Sequence, residues 1–429
     1  MARIVIAAYL LALFSFNVYR AATQSFTTDE IYSYKLYVGA VPFNLFHQYD
    51  ANLHFLHTLA TWGIVKLLGF SEFVFRLPSL AGCVLYFGAV YKLARRTTPL
   101  AALLLTAHPL LEDHMSVGRG YGLALGFFAW AFVEAVAEVP RLTSIAVLLA
   151  LSIGTNLTFL FPASALIAAL ILQRRDPLLL RLTGPWIGLT ALLLAIPLSN
   201  MQPGALYFGA ARIPDSLRSL VEYPESHAIL PFKVVAAVTA TILLGCACTA
   251  FWKHRFAANQ YSFVSTATLS LTVLAVLASH YGFGMPYPYA RTGLYFLFLV
   301  PLCLAPLAAR RTPAIVLATA AIYVASYIRP NIYGEWAFDA AVPGILQTIE
   351  QQHTSGAPVR IAASAPMDTV LGHYRTERGM DWITAIEPAQ WQPGFDYYVL
   401  RAGDFNQIPL LGLKEISWDV QAGVKVAVP

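Results

Sequence analysis

Three stretches of the chain gather ionisable and hydrogen-bonding residues where the surrounding sequence is apolar. The first holds Asp29-Glu30 and, further on, Asp50, Asn52 and His54. Two adjacent carboxylates at the edge of an apolar run are costly unless they are solvated or used. Thr27-Thr28-Asp29 suits a solvated helix cap, so a cap and a chemical role both stay open there. Asp50, Asn52 and His54 read either as a polar turn entering a helix or as a cluster able to hold a hydroxyl, a phosphate or a divalent cation, with Asp29 joining Asp50 and His54 as ligands in the last case. The second stretch holds Glu112, Asp113, His114 and Arg119, followed by Gly120-Tyr121. The guanidinium fork matches phosphate oxygens and a helix N-terminus favours an anion, although interfacial anchoring accounts for the same residues. The third holds His280, Tyr281, Tyr287, Tyr289 and Arg291, an aromatic belt with a second candidate phosphate ligand in Arg291.

The elements that must position these residues follow from composition. The chain has 429 residues, 58% hydrophobic and only 12% charged, with mean hydropathy +0.60; soluble chains carry about 25% charged residues. Long stretches are nearly uncharged and the charges collect between them, which predicts a polytopic α-helical membrane protein. About eleven spans of the required length are expected, near residues 2–19, 78–94, 99–112, 121–138, 143–157, 158–173, 183–199, 230–252, 261–280, 292–309 and 312–328. The 143–173 region reads as two spans or as one long bent one, and the first run as an uncleaved span. Arg3, Lys92/Arg95/Arg96, Arg141, Arg174/Arg175/Arg181, Lys253/Arg255 and Arg310/Arg311 fall on one side of this count, which makes that side cytoplasmic. The net charge of +5 is therefore topological and excludes a nucleic-acid partner, which would require a basic polar face. Cys83, Cys246, Cys248 and Cys303 lie inside apolar runs and read as packing residues.

Two parts are expected: a transmembrane module over 1–329, whose first outer loop at 20–77 forms interfacial helices with Phe43, Leu45, Phe46, Phe55, Leu56, Trp62 and Ile64 as apolar faces, and a small α/β domain over 330–429 outside the membrane. In the latter, 359–364 and 397–401 read as strands and 342–353 and 367–375 as amphipathic helices.

The order of motifs resembles the GT-C superfamily of polyprenyl-phosphate-sugar-dependent glycosyltransferases, in particular the bacterial relatives of protein O-mannosyltransferases and aminoarabinose transferases. The motifs that carry it are the D-E pair at Asp29-Glu30, the partial match Asp50-Ala51-Asn52-Leu53-His54, the segment Gly69-Phe70-Ser71-Glu72 through Arg76-Leu77-Pro78-Ser79, the string Tyr91–Arg96, and Arg119-Gly120-Tyr121. They cover residues 25–125 well and the rest thinly, and the proline expected after His54 is absent. The resemblance implies an inverting transferase of the plasma (bacterial inner) membrane, with an extracytoplasmic site. Its donor would be a sugar on a polyprenyl phosphate and its acceptor a glycan, lipid or protein hydroxyl. It further implies Asp29 and Glu30 at the catalytic centre. Asp50 joins them from the same loop with Asp29 as base, the guanidinium chemistry puts Arg119 and Arg291 on the donor phosphate, and Asn52, His54, Asp113, Tyr121, His280 and Tyr289 stand in support. The cation that the leaving phosphate needs is either Arg119 and Arg291 or a bound divalent metal ion, and the sequence leaves both open. The competing classes are a lipid or solute transporter, against which the acids cluster in loops and not mid-span, and a non-catalytic envelope scaffold. Reporter fusions at Gly334 and at Arg175 are expected to report opposite compartments; the same compartment at both would overturn the topology.

Overall fold

The computed structural model describes residues 2–39, 44, 49–50, 52–174, 180–201, 204–206, 208–221, 260–353, 357–388 and 391–429. Cys246, Cys248, Phe43, Leu45, Phe46 and the expected span at 230–252 lie outside them. The chain divides into two compact units, Met1–Ala21 with Tyr37–Ile328, and Ala22–Leu36 with Arg329–Pro429.

In chain order, the helices of the first unit are α1 (Ala2–Thr23, whose last residues pass into the second unit), then α3 (Phe55–Leu68), α4 (Glu72–Arg96), α5 (Leu100–Thr106), α6 (Pro109–His114), α7 (Gly120–Ala135), α8 (Leu142–Thr155), α9 (Leu160–Arg174), α10 (Leu180–Ser199), α11 (Ile213–Val221), α12 (Gln260–Phe283), α13 (Phe296–Leu304) and α14 (Arg311–Ala325). Among the described residues, α1, α4 and α12 are long and apolar enough to cross a bilayer, and six further apolar helices run 10–17 residues. The about eleven full-length spans expected are therefore not matched helix for helix. The expected span at 99–112 breaks at Ala107-His108, where Pro109 opens α6. The one at 292–309 is divided into the turn Ala290–Gly293, α13 and the short turn Leu307–Ala309, with Pro306 at the second break, since proline removes a helix hydrogen bond. Residues 143–173 resolve as two helices: Asn156 ends α8 and its side chain accepts from the Thr158 N–H at 3.0 Å, starting the next turn.

The core of this unit forms around α7, which is apolar on nearly all sides and almost wholly buried; a helix of that kind belongs in a bundle centre. It packs on α4 and α8, while α9 packs on α12. Small residues let α4 and α7 approach closely, as in helix pairs that lack a hydrophobic driving force between them. A Cβ on Gly82 would lie 2.5 Å from the Leu123 backbone, and one on Gly126 2.8 Å from the Gly82 carbonyl.

The second unit holds α2 (Thr28–Ser33), α15 (Val342–Gln352), α16 (Met367–Glu377) and α17 (Gln407–Leu410), with strands β1 (Val359–Ala363), β2 (Ile383–Pro388), β3 (Tyr397–Arg401), β4 (Lys414–Asp419) and β5 (Val424–Val428). The sheet order is β2-β1-β3-β5-β4. The β1 strand pairs in parallel with β2 and β3, and β5 runs antiparallel to β3 and β4. Helix α16 is the crossover that a parallel pair needs.

Residues 22–36, which the expected division places in the first module, group with Arg329–Pro429 in the second unit. Gln24 Nε2 donates to the Pro330 carbonyl at 2.8 Å, the Phe26 N–H to Tyr374 Oη at 2.7 Å, and the Phe26 ring lies 5.6 Å from that of His373. These contacts make the segment part of the second unit.

Replacing Gly82 with alanine is expected to force α4 and α7 apart and to cost about 1–3 kcal/mol, the usual range for overpacking. The measurement is the thermal midpoint of the detergent-solubilised protein, with Gly63→Ala, where a Cβ meets nothing within 4 Å, as the unaffected control. Equal midpoints for the two variants would show that α4 and α7 do not depend on that close approach.

Candidate functional site

In the second unit, Thr27 is the N-cap of α2. Its hydroxyl accepts from the Glu30 N–H at 3.3 Å while Glu30 Oε2 accepts from the Thr27 N–H at 2.8 Å. The cap anticipated from Thr27-Thr28-Asp29 is thus a full capping box, and it engages Glu30, whose side chain is fully buried. Asp29 sits in the first helical turn, where the helix dipole favours a carboxylate. The Asp339 carboxylate receives Thr28, the first residue of α2, by both its N–H at 2.7 Å and its hydroxyl at 3.0 Å. Burial, together with Asp29 and Glu30, pushes the Asp339 carboxyl up to about 8 despite the Thr28 bonds that pull it down.

In the first unit, the Arg119-Gly120-Tyr121 motif starts α7, with Arg119 as its N-cap. A Cβ on Gly120 would stand 2.7 Å from His54 Cβ and 2.9 Å from the Thr155 carbonyl; one on Gly122 would stand 2.2 Å from the His114 carbonyl. The missing side chains let both histidine segments lie against the first turn of α7. There the Tyr121 ring is flanked edge-on by His54 and His114, each at 4.9 Å.

Arg119 is 1% exposed. Its Nη1 reaches the Asn52 carbonyl at 3.5 Å, and the Asn52 N–H donates to Asp50 Oδ1 at 2.8 Å, so Asp50 and Asn52 form the turn that faces the guanidinium. Ser79 donates to the Arg119 carbonyl at 3.2 Å and lies 3.0 Å from His57 Nε2, so His57 presents its Nε2–H to Ser79. His54, ahead of α3, is held well below the ordinary histidine range, first by burial and then by the positive charge of Arg119, with His57, Arg291 and His114 adding to it. Arg119, Arg291 and three histidines therefore bear on one place, and the buried His54 Nε2 has no hydrogen-bond partner among the described residues.

Arg291 lies in the turn Ala290–Gly293 with its guanidinium 4.3 Å over the Phe208 ring. The turn is held by α11: Ala290, at φ 45°, donates its N–H to Ser219 Oγ at 2.8 Å, and Ser216 donates to the Pro288 carbonyl. His280 stacks on Tyr287 at 4.0 Å and donates Nδ1–H to the Met285 carbonyl at 2.7 Å, which shapes the same connection. Tyr289 is 41% exposed and its ring meets Phe208 at 6.0 Å.

Asp113 is bonded to Arg20 at 2.5 Å, with the arginine fully buried, and Asn17 Nδ2 donates to Glu112 Oε2 at 2.7 Å. Sequence reasoning missed Arg20, His57 and Asp339, and named Ser79 only as the end of a motif. Arg20 at the end of an apolar helix, opposite an acidic turn, was the available signal for one of them. Asp29 and Glu30 fall in the second unit and Asp50 and His54 in the first. Among the described residues no group of three or more His, Cys, Asp or Glu has the arrangement of a metal site.

No family model matches the chain, and no curated protein matches it. Its course is similar to that of two solved structures of ArnT from Cupriavidus metallidurans, each at 13% sequence identity over 99% of this chain and 97% of the other. One is bound to undecaprenyl phosphate, with a TM-score of 0.45, and the other is in the apo state, with a TM-score of 0.46.

Breaking the buried pair is expected to be worse than removing it. Arg20→Met alone leaves a buried carboxylate and should cost about 3–5 kcal/mol, whereas Arg20→Met with Asp113→Leu should recover most of that loss. Chemical unfolding in mild detergent measures both; a double variant no more stable than the single one would show that the pair does not bear on stability in this way.

Proposed function

We propose that the chain is a polyprenyl-phosphate-sugar-dependent glycosyltransferase that moves a sugar to an acceptor hydroxyl at the outer face of the plasma membrane, with inversion. The observation that carries the reading is the convergence of two guanidinium charges, Arg119 and Arg291, on the place where the buried, neutral His54 stands. The planar guanidinium fork matches phosphate oxygens, and the leaving group of such a reaction is a lipid phosphate. The motif order around Asp29-Glu30 and Arg119-Gly120-Tyr121 supports the same class.

In this mechanism Asp29 removes the proton from the acceptor hydroxyl. The oxygen then attacks the anomeric carbon from the face opposite the phosphate, a new glycosidic bond forms, and the carbon–oxygen bond to phosphate breaks. The polyprenyl phosphate departs with the electron pair, and Arg119 and Arg291 stabilise the charge that accumulates on it. Glu30, committed to the capping box, supports the helix that presents Asp29, and Asp50 and Asn52 set the position of Arg119.

The test uses purified variants. Asp29→Asn should lower transfer by about 10²–10⁴, the usual effect of losing a general base, with undecaprenyl phosphate still bound. Glu30→Gln, which keeps the box, should be milder. Arg119→Ala and Arg291→Ala should each weaken binding of that lipid by about 1.5–3 kcal/mol, with lysine restoring only part because it lacks the planar fork. Near wild-type transfer by Asp29→Asn would sink the assignment of the base, and unchanged lipid affinity in both alanine variants would sink the phosphate site.

A further inference from the structure

Asp339 lies in the turn Gly334–Ala341 and is 1% exposed. Both its carboxylate oxygens face Thr28, the residue immediately before the proposed base. The same turn grips the segment a second time, because Ser25 Oγ donates to the Asp339 carbonyl at 3.0 Å. Helix α2 has no local need of this partner: Thr27 already caps it and Glu30 closes the box. An aspartate from the far end of the sequence is buried against a helix whose own cap is complete. Burying a carboxylate is costly, so its place there calls for a purpose beyond starting six residues of helix.

Resting on the reading of Asp29 as general base, we propose that Asp339 is a positioning residue for that base: it fixes Thr28 at two atoms and, through the peptide joining them, sets the direction in which the Asp29 carboxylate points. Side chains that hold a reacting group within a fraction of an ångström need such support behind them.

The arrangement has a pH limb built into it. The charged and titratable groups on the elements packed about this turn are Asp29, Glu30 and Tyr32 of α2, Glu335 of the turn itself, Glu350 of α15, Asp368, His373, Tyr374, Arg375 and Glu377 of α16, and Arg401 over the Phe338 ring. Of these, Asp29 and Glu30 add to burial in raising the Asp339 carboxyl to about 8. Its value in the fold is above that of a free carboxylate, so the fold favours the protonated form. The stabilisation is present at low pH and is lost as the pH climbs through about 8, where a third negative charge appears beside the other two.

The experiment uses the full chain in membrane vesicles with their own donor and acceptor, with transfer followed by mass spectrometry of the glycan product from about pH 6 to about pH 9.5. Asp339→Ala and Thr28→Val are expected to cut transfer about 100-fold, the scale of an ångström-sized misplacement, with undecaprenyl phosphate affinity unchanged. Asp339→Asn keeps an oxygen for the Thr28 N–H. It should retain most transfer at neutral pH and abolish the decline that the wild type shows above about pH 8. Wild-type transfer by Asp339→Ala, an asparagine variant as weak as alanine, or a pH profile the asparagine variant leaves unmoved would each overturn the proposal. Asp29→Asn runs alongside. If it is active, the base assignment falls and this one with it; if it is inactive while Asp339→Ala is fully active, only the role of Asp339 falls.

Discussion

A charge taken out of water must find its counterpart inside the fold, and the Arg20–Asp113 pair is where the first unit meets that requirement. Neither partner has appreciable access to solvent. The end of α1 is thereby fixed to α6, and the neighbouring Asn17–Glu112 bond fixes it again one turn back. Arg76 adds a third tie by donating to the Ala21 carbonyl at 3.1 Å. The residues after α6 inherit these constraints: α6 ends at His114, five residues before Arg119, so the register of the histidine and arginine against α7 depends on where α6 is held. The close approach allowed by Gly120 and Gly122 would place nothing useful if α6 could slide.

The two clusters have opposite electrostatic characters. In the first unit cations are gathered, and histidines among them are driven to the neutral form. In the second, carboxylates are gathered, and Asp339 is driven to the protonated form. Each cluster limits its own charge by burial.

Much of this was legible in the sequence where the signal is local. The helices expected at 342–353 and 367–375 are Val342–Gln352 and Met367–Glu377, and the strand expected at 397–401 is Tyr397–Arg401, because amphipathic period and β-branched runs report their own segment. Thr27 as a cap was readable from its neighbours alone. Strands β2, β4 and β5 were not seen: in β4, KEISWD carries charges on an edge strand, which is how edges are protected and also what hides them from a hydrophobic pattern. Asp339 in EWAFDAA looks like an isolated acid in an amphipathic stretch; only the fold shows that its partner is Thr28. The allegiance of residues 22–36 was hidden for the same reason, since every tie that holds them is long-range.

That allegiance makes the second unit discontinuous in sequence, with its first strip made early and its body made last. Roughly 300 residues separate Leu36 from Arg329. At synthesis rates of about 5–20 residues per second, the strip waits on the order of 15–60 s for the surface it belongs to. During that interval the nascent chain has its acidic helix segment but no seat for it. The unit therefore matures only after the ribosome has passed Arg329, and a nascent chain stalled anywhere before that point carries Asp29 without the residues that hold its segment in place.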